Sequence, residues 1–294
     1  MKPQTQHLLT ALAVSALSSS VATASTITVF SDDFEDGNRN GWYKIDDSTS
    51  TLSVESASPL LGSANELRLE SSDSSNNMQA IVVSFPEVTL ANTGDSIELQ
   101  FAARNVDGGF IDFGFAFGLF DSGATAITAD GDFGAALSTL EDQGYYARVD
   151  VGTSTVNTAA SVDETIDTTT ERLRFQGGTS LITSDFGSDG DDTLMFTNNT
   201  DFVYTLTITL LDTDNVEVSL ANDEVGGTDN PITGESTTTP TLSFDTLYFA
   251  GRPDSNSTVD YRIDNVLITT NIPEPASAVL IALGGLLITS RRRR

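Results

Sequence analysis

In the stretch Tyr204 to Leu210, Tyr204, Leu206, Ile208 and Leu210 alternate with Thr205, Thr207 and Thr209. A period of two puts the apolar set on one face of a strand and the hydroxyls on the other. Such a strand needs a sheet with one buried face. The pattern recurs. Ile97, Leu99 and Phe101 alternate with Glu98 and Gln100, and Val216, Val218 and Leu220 with Glu217 and Ser219. The loop Asp212 to Asn215 is placed to join two antiparallel strands as a hairpin. No stretch between Ser25 and Asn271 sustains a helical period, so the fold class is all-β.

Further strands are expected at Thr26 to Phe30, Leu52 to Glu55, Glu66 to Glu70, Ala80 to Phe85, Ile111 to Phe120, Tyr145 to Val151, Arg172 to Phe175, Leu242 to Ala250 and Val259 to Thr269. About a dozen strands at this spacing suit a two-sheet antiparallel sandwich better than a small barrel. In Ile111 to Phe120, Phe113, Phe115, Phe117 and Leu119 alternate with Gly114, Ala116 and Gly118. The small positions leave one face open to a close neighbouring side chain or to a ligand. Tyr261 and Ile263 have one parity and Val266 and Ile268 the other, which predicts a bulge at Asp264 and Asn265. Ser71 to Asn77, Thr153 to Thr170 and Gly226 to Thr239 read as long surface loops. Asn198-Asn199-Thr200 and Asn256-Ser257-Thr258 match a glycosylation sequon, a match expected by chance in so polar a chain.

Phe30-Ser31-Asp32-Asp33-Phe34-Glu35-Asp36-Gly37 with Gly41-Trp42 resembles the opening of concanavalin-like or laminin-G-like jelly rolls. Arg262-Ile263-Asp264-Asn265-Val266-Leu267-Ile268 resembles their closing strand. The opening is also similar to galactose-binding-like modules, whose topology differs. The resemblance implies that the first and last strands pair in a jelly-roll sandwich. It also implies a structural calcium between the two segments, with Asp33, Glu35 and Asp264 as ligands.

The two ends read as addresses. Lys2, the apolar stretch Leu8 to Leu17 and the small residues Ala22-Thr23-Ala24 before Ser25 have the form of a secretory leader (residues 1–24) cleaved between Ala24 and Ser25; the alternative is an uncleaved anchor. At residues 272–294, Pro273-Glu274-Pro275 is followed by an uncharged run, Ala276 to Thr289, and by Arg291-Arg292-Arg293-Arg294. Two prolines one residue apart end a strand ladder. An all-round apolar helix then wants lipid or a protein core, and the arginines would sit at an anionic cytoplasmic surface. In motif, helix and basic end this tail resembles the PEP-CTERM sorting signal of Gram-negative bacteria. The resemblance implies export, recognition by an exosortase-type membrane peptidase, cleavage near the prolines, and association with exopolysaccharide or biofilm matrix. Signal peptidase would be the partner at the other end. The competing view is a buried terminal helix, since the run falls short of the roughly 20 residues of a full span.

Residues 25–271 are then one jelly-roll domain, long enough for a substantial core. Setting aside Lys2 and the four terminal arginines leaves 9 basic residues, and setting aside Glu274 leaves 41 acidic ones, a charge of −32. A nucleic acid would be repelled. There is no cysteine and the single histidine, His7, lies in the leader. The domain therefore has no disulfide, no Ser-His-Asp or Cys-His arrangement and no ordinary zinc site.

Three chemistries remain. Besides Asp33, Glu35 and Asp264, the acidic turns Asp130-Gly131-Asp132 and Asp185 to Asp192 offer hard oxygen ligands, none at EF-hand spacing; the bland alternative is solvated turns. Glu164, Asp167 and Glu171 come nearest to the paired carboxylates of a glycosidase. Their separations of three and four do not share one strand face. Trp42, Tyr145, Tyr146, Tyr248 and Tyr261 are candidate platforms for stacking sugars, with Trp42 alternatively a core lid. The expectation is an exported cell-surface or extracellular-matrix protein, non-catalytic, binding polysaccharide or serving as a matrix component; the alternative is a glycan-active enzyme, hydrolase or lyase.

Overall fold

A computed structural model describes residues 25–45, 50–56, 60–71, 79–106, 110–123, 126–131, 143–149, 159–165, 179–185, 199–223, 231–236, 240–253 and 259–272. The leader through Ala24, the tail from Pro273 to Arg294, Asp132, Asp167, Glu171, residues 186–192, the expected strand at 172–175 and the sequon positions Asn198 and Asn256 lie outside them. Among the described residues no helix is long and apolar enough to cross a membrane.

The strands are β1 (Ser25–Asp32), β2 (Trp42–Ile45), β3 (Ser50–Glu55), β4 (Glu66–Ser71), β5 (Gln79–Thr89), β6 (Ser96–Asn105), β7 (Phe110–Asp121), β8 (Gln143–Val149), β9 (Ala159–Thr165), β10 (Thr179–Asp185), β11 (Asp201–Leu210), β12 (Val216–Asn222), β13 (Ile232–Ser236), β14 (Ser243–Pro253) and β15 (Val259–Ile272). One sheet runs β13-β12-β11-β6-β15-β4-β3, with β1 also paired to β15. The second runs β10-β9-β8-β7-β14-β5-β2. The expected two-sheet antiparallel jelly-roll sandwich is the observed fold, and its first and last strands pair.

Alternation decides which side chains enter the space between the sheets. On β11, Phe202, Tyr204, Leu206, Ile208 and Leu210 are buried while Thr205, Thr207 and Thr209 are half-buried. The hairpin to β12 pairs Leu210 with Val216. Its loop is closed by Asp212, whose carboxylate accepts from Asp214 N at 2.9 Å and Asn215 Nδ2 at 2.6 Å. These bonds hold the Asp212 carboxyl below the usual carboxylate range. Phe101 on β6 crosses to the other sheet, with ring centroids 4.7 Å from both Phe117 and Phe249 and 5.5 Å from Tyr204. Rings in tilted or edge contact add about 0.5–1.5 kcal/mol per pair beyond the area they bury.

Gly118 is explained by a neighbour rather than a ligand. A Cβ there would lie 2.4 Å from Tyr145 O and 2.6 Å from Tyr146 Cβ, and one at Gly144 would lie 2.2 Å from Leu119 O. The two glycines let β7 and β8 approach.

The expected bulge is present: the β15–β6 register shifts between Asp264 and Leu267, and Asn265 has φ 52°. Tyr261 and Ile263 before it and Val266 and Ile268 after it all join the core. Two expected loops are corrected. The segment Thr153 to Thr170 contains β9, and Gly226 to Thr239 contains β13. Neither strand carries a run of alternating large apolar residues. Backbone ladders carry them instead: β9 pairs on both sides, with β8 and β10, and β13 lies at the sheet edge against β12.

Candidate functional site

The acidic opening Asp32 to Asp36 leaves β1 as a series of turns closed by side chains. Asp32 Oδ1 accepts from Phe34 N at 2.9 Å, Asp33 Oδ1 from Glu35 N at 3.2 Å, and Asp36 Oδ1 from Asn38 N at 2.8 Å. Each carboxylate caps the backbone two residues on, as Asp does in turns. The turns carry Phe34, at φ 54°, fully into the core against Trp42, with centroids 5.7 Å apart. The Trp42 indole N–H donates to Asp32 Oδ2 at 2.8 Å. Burial pushes the Asp32 carboxyl up, against the lowering effect of the Phe34 and Trp42 bonds.

This segment faces the bulge across a cleft of about 460 Å³ lined by Ser31, Asp32, Asp33, Asp36, Gln100, Asn265, Val266 and Leu267. Among the described residues the cleft lining offers a hydroxyl, carboxylates and two amides, and no aromatic ring.

Glu35 and Asp264 meet elsewhere, on either side of the turn Ser63 to Asn65. Glu35 Oε1 accepts from Ala64 N at 2.5 Å and Asn65 N at 3.4 Å, and Asn65 Nδ2 donates to Glu35 O at 3.3 Å. Asp264 Oδ1 accepts from Asn265 N at 2.7 Å, and Oδ2 accepts from Ser63 Oγ and, at 3.2 Å, from Asn265 Nδ2. Asp264 is fully buried, and burial raises its carboxyl from 3.8 to about 6; the Ser63 and Asn265 bonds oppose the rise while Glu66 and Glu35 add to it. Glu66, also fully buried, accepts from Arg262 Nη1 through Oε1, and among the described residues its Oε2 has no hydrogen-bond partner. Its carboxyl is raised by burial, against the lowering effect of Arg262.

Of the three expected calcium ligands, the structure therefore brings Glu35 and Asp264 to one turn and leaves Asp33 in the cleft. Among the described residues no group of three His, Cys, Asp or Glu is close enough to hold a metal. Asp130 is committed to Arg39, in a two-pronged pair at 2.9 and 2.7 Å, and to Lys44 N at 3.0 Å; Arg39 holds its carboxyl below the usual range. Asp185 closes β10 opposite Ala159. Glu164 lies on β9 opposite Tyr145.

All five candidate sugar platforms are corrected. Trp42, Tyr146 and Tyr248 are 1% exposed, Tyr145 and Tyr261 fully buried. Trp42, Tyr145 and Tyr261 fill the space between the sheets, so Trp42 is the core lid. Tyr146 and Tyr248 point to the opposite face of their sheet, which is itself covered: they pack with Val82, Ala116, Phe120 and with Ile127 from the segment after β7.

Sequence reasoning did not anticipate a row of arginines on the outward face of the β1-containing sheet. The register sets Arg262 opposite both Arg68 and Arg104 on adjacent strands. Arg68 grips Asp260 at 2.9 and 2.7 Å and Glu55 at 3.2 and 3.1 Å, and Arg104 Nε donates to Asp201 at 2.5 Å. The available signal was an arginine at the polar position of three alternating segments, Leu67-Arg68-Leu69, Ala103-Arg104-Asn105 and Tyr261-Arg262-Ile263. Strand order was needed to put them together.

No family model and no curated protein matches this chain. Among solved structures it is similar to an endo-β-1,4-glucuronan lyase from the fungus Trichoderma reesei, at 13% identity, covering 82% of this chain and 95% of that one, with a TM-score of 0.45. It is also similar to lectin II from Ulex europaeus, at 13% identity, 84% and 100% coverage and a TM-score of 0.48, and to an alginate lyase solved with an alginate tetrasaccharide, at 10% identity, 83% and 96% coverage and a TM-score of 0.44.

Proposed function

We propose that the chain is an exported cell-surface or extracellular-matrix protein that engages polysaccharide without catalysis. The observation that carries this reading is the cleft between the acidic turns and the bulge. Its hydroxyl, carboxylate and amide groups are the kinds that bond sugar hydroxyls, and its aspartates disfavour a polyanionic glycan, so the ligand is a neutral one. Catalysis is disfavoured at the described residues because, of the carboxyls that burial raises, Asp264 and Glu66 are fully buried and Asp32 has both oxygens engaged by Phe34 N and Trp42 Nε1. A general acid must reach the bond it protonates.

The exported protein is to be tested on an array of neutral and acidic glycans, beside Asp33→Asn and Asn265→Ala. Signal on neutral glycans that weakens in both variants supports the reading, and a flat array overturns the binding half. Release of reducing ends or of unsaturated uronate products from any polysaccharide overturns the non-catalytic half and favours the enzyme alternative. Export, signal peptidase and the exosortase-type peptidase belong to the same proposal through the leader and the Pro273-Glu274-Pro275 tail. A reporter fused ahead of Pro273 that stays in the cytoplasm refutes it, and mass spectrometry of the mature C-terminus reads the tail's processing.

A structural calcium is part of the reading too. Two of the three expected ligands, Glu35 and Asp264, are hard oxygen donors beside the turn Ser63 to Asn65, and the third, Asp33, lines the neighbouring cleft. Binding there would exchange the Ser63 and Asn265 bonds on Asp264 for the ion. Calorimetric titration and the melting temperature with and without calcium test it; no heat and no shift remove the metal.

A further inference from the structure

The cleft has a continuation along the outward face of its sheet, away from the arginine row. Register lines up the outward side chains there in two rows that cross the strands. In the first, Leu267 lies opposite Gln100, Gln100 opposite Thr205, and Thr205 opposite Ala221. Two residues along, Thr269, Glu98, Thr207, Ser219 and Thr233 stand abreast on β15, β6, β11, β12 and β13. All of these side chains are half-buried or exposed, whereas the outward face of the other sheet is covered by the cluster that includes Ile127. Gln100 and Leu267 belong both to the first row and to the lining of the cleft. Gln100 Nε2 donates to Thr205 Oγ1 at 3.5 Å, and Thr207 Oγ1 donates to Glu98 Oε2 at 3.3 Å. The polar groups of the cleft thus pass without a break into a strip of hydroxyls, an amide and a carboxylate.

We propose that this strip extends the cleft into a track for an unbranched, β-1,4-linked neutral polysaccharide that runs across the strands. The inference rests on the neutral-glycan reading of the cleft and adds the shape of that ligand. Neighbouring strands lie about 4.8 Å apart, close to the advance of one pyranose along an extended β-1,4 chain. Each strand crossed therefore offers a side chain to each sugar. An α-1,4 chain coils and would leave the sheet, and branches would lift the chain off it. The second row crosses four strand steps, about 19 Å, which is room for about four sugars. Its carboxylate, Glu98, accepts strongly from a sugar hydroxyl and repels a polyanion. Each hydroxyl contact replaces a bond to water and contributes little alone, so affinity has to accumulate along the chain.

Calorimetric titration of the exported full chain with cello- and manno-oligosaccharides of increasing length tests the track. From disaccharide to hexasaccharide the affinity is expected to rise about thirtyfold or more, as contacts that are each weak add up. Thr205→Val with Thr207→Val removes two hydroxyls and keeps β-branched side chains suited to a strand. The double variant is expected to weaken hexasaccharide binding about tenfold, with an unchanged near-UV circular dichroism spectrum. Equal affinity for disaccharide and hexasaccharide, or a hexasaccharide indifferent to the two valines, overturns the track and leaves the glycan reading of the cleft standing. Maltohexaose binding as tightly as cellohexaose and mannohexaose overturns the extended-chain geometry. No heat with any neutral oligosaccharide of either linkage overturns the reading of the cleft and the track with it.

Discussion

The two sheets hide their outward faces with opposite chemistry. On the β7–β8–β14 sheet the outward face is a second apolar cluster: Tyr146, Tyr248, Phe120, Val82 and Ile127 pack together away from the main core. On the β4–β15–β6 sheet it is a charged row, in which Arg68, Arg262 and Arg104 are neutralised by Glu55, Asp260, Glu66 and Asp201. A ring buried against rings stays buried for its own area. A buried guanidinium stays only while its carboxylate does, because an ion without a partner carries its full desolvation cost. The first face can be trimmed gradually; the second fails when one member is removed.

The largest effect is therefore expected from Arg262→Ala, which leaves the Glu66 charge buried and uncompensated and costs about 4 kcal/mol in denaturant unfolding. The double variant Arg262→Met with Glu66→Gln should recover most of that loss. A cost under about 1 kcal/mol for the single variant would mean that the charged face is wetter than it looks. Tyr248→Ala on the apolar face should cost about 3 kcal/mol through lost burial and a cavity. Small aromatic ligands should restore part of it, a rescue with no counterpart on the charged face.

Asp264 sharpens the comparison through pH. Its carboxyl titrates near 6 in the folded protein against an ordinary 3.8. Between those values the folded state holds a proton that the unfolded state has released. Stability from this group is thus full below about pH 4 and is lost as pH rises through 6, and Glu66, also raised, acts in the same direction. With a chelator present, stability should fall from pH 4 to pH 7. Asp264→Asn should flatten that slope and stabilise the fold by about 2 kcal/mol at pH 7, since each tenfold change in proton affinity corresponds to about 1.4 kcal/mol. An unchanged slope would show that Asp264 is hydrated. The smallest effect is expected at Arg39→Ala. It breaks the pair with Asp130, whose side chains are 36% and 34% exposed, and should cost under about 1 kcal/mol and fade in high salt.

Legibility in the sequence followed the same division. Strands β6, β11 and β12 were readable because each has one apolar and one polar face. Strands of the other sheet read as unbroken apolar runs, Ala80-Ile81-Val82-Val83 and Leu247-Tyr248-Phe249-Ala250, because both of their faces are covered. That continuity was the available sign that Tyr146 and Tyr248 would be buried rather than offered to a sugar. The bulge at Asp264 and Asn265 was visible as a parity shift. The meeting of Glu35 with Asp264 at Ser63 to Asn65 followed from the opening and closing segments taken together, but the departure of Asp33 into the cleft did not. It depends on which way each turn directs its carboxylate.

Taken alone, the sequence determined the class of fold, the hairpin, the bulge and the exclusion of cysteine-based chemistry, since period, parity and residue inventory are local properties. Only the tertiary structure decided which faces are wet, which carboxyls are buried, and how three distant arginines come to lie abreast. These depend on strand order and on what covers each sheet, and residues 36 to 194 positions apart, such as Arg104, Arg68 and Arg262, become neighbours only through long-range pairing.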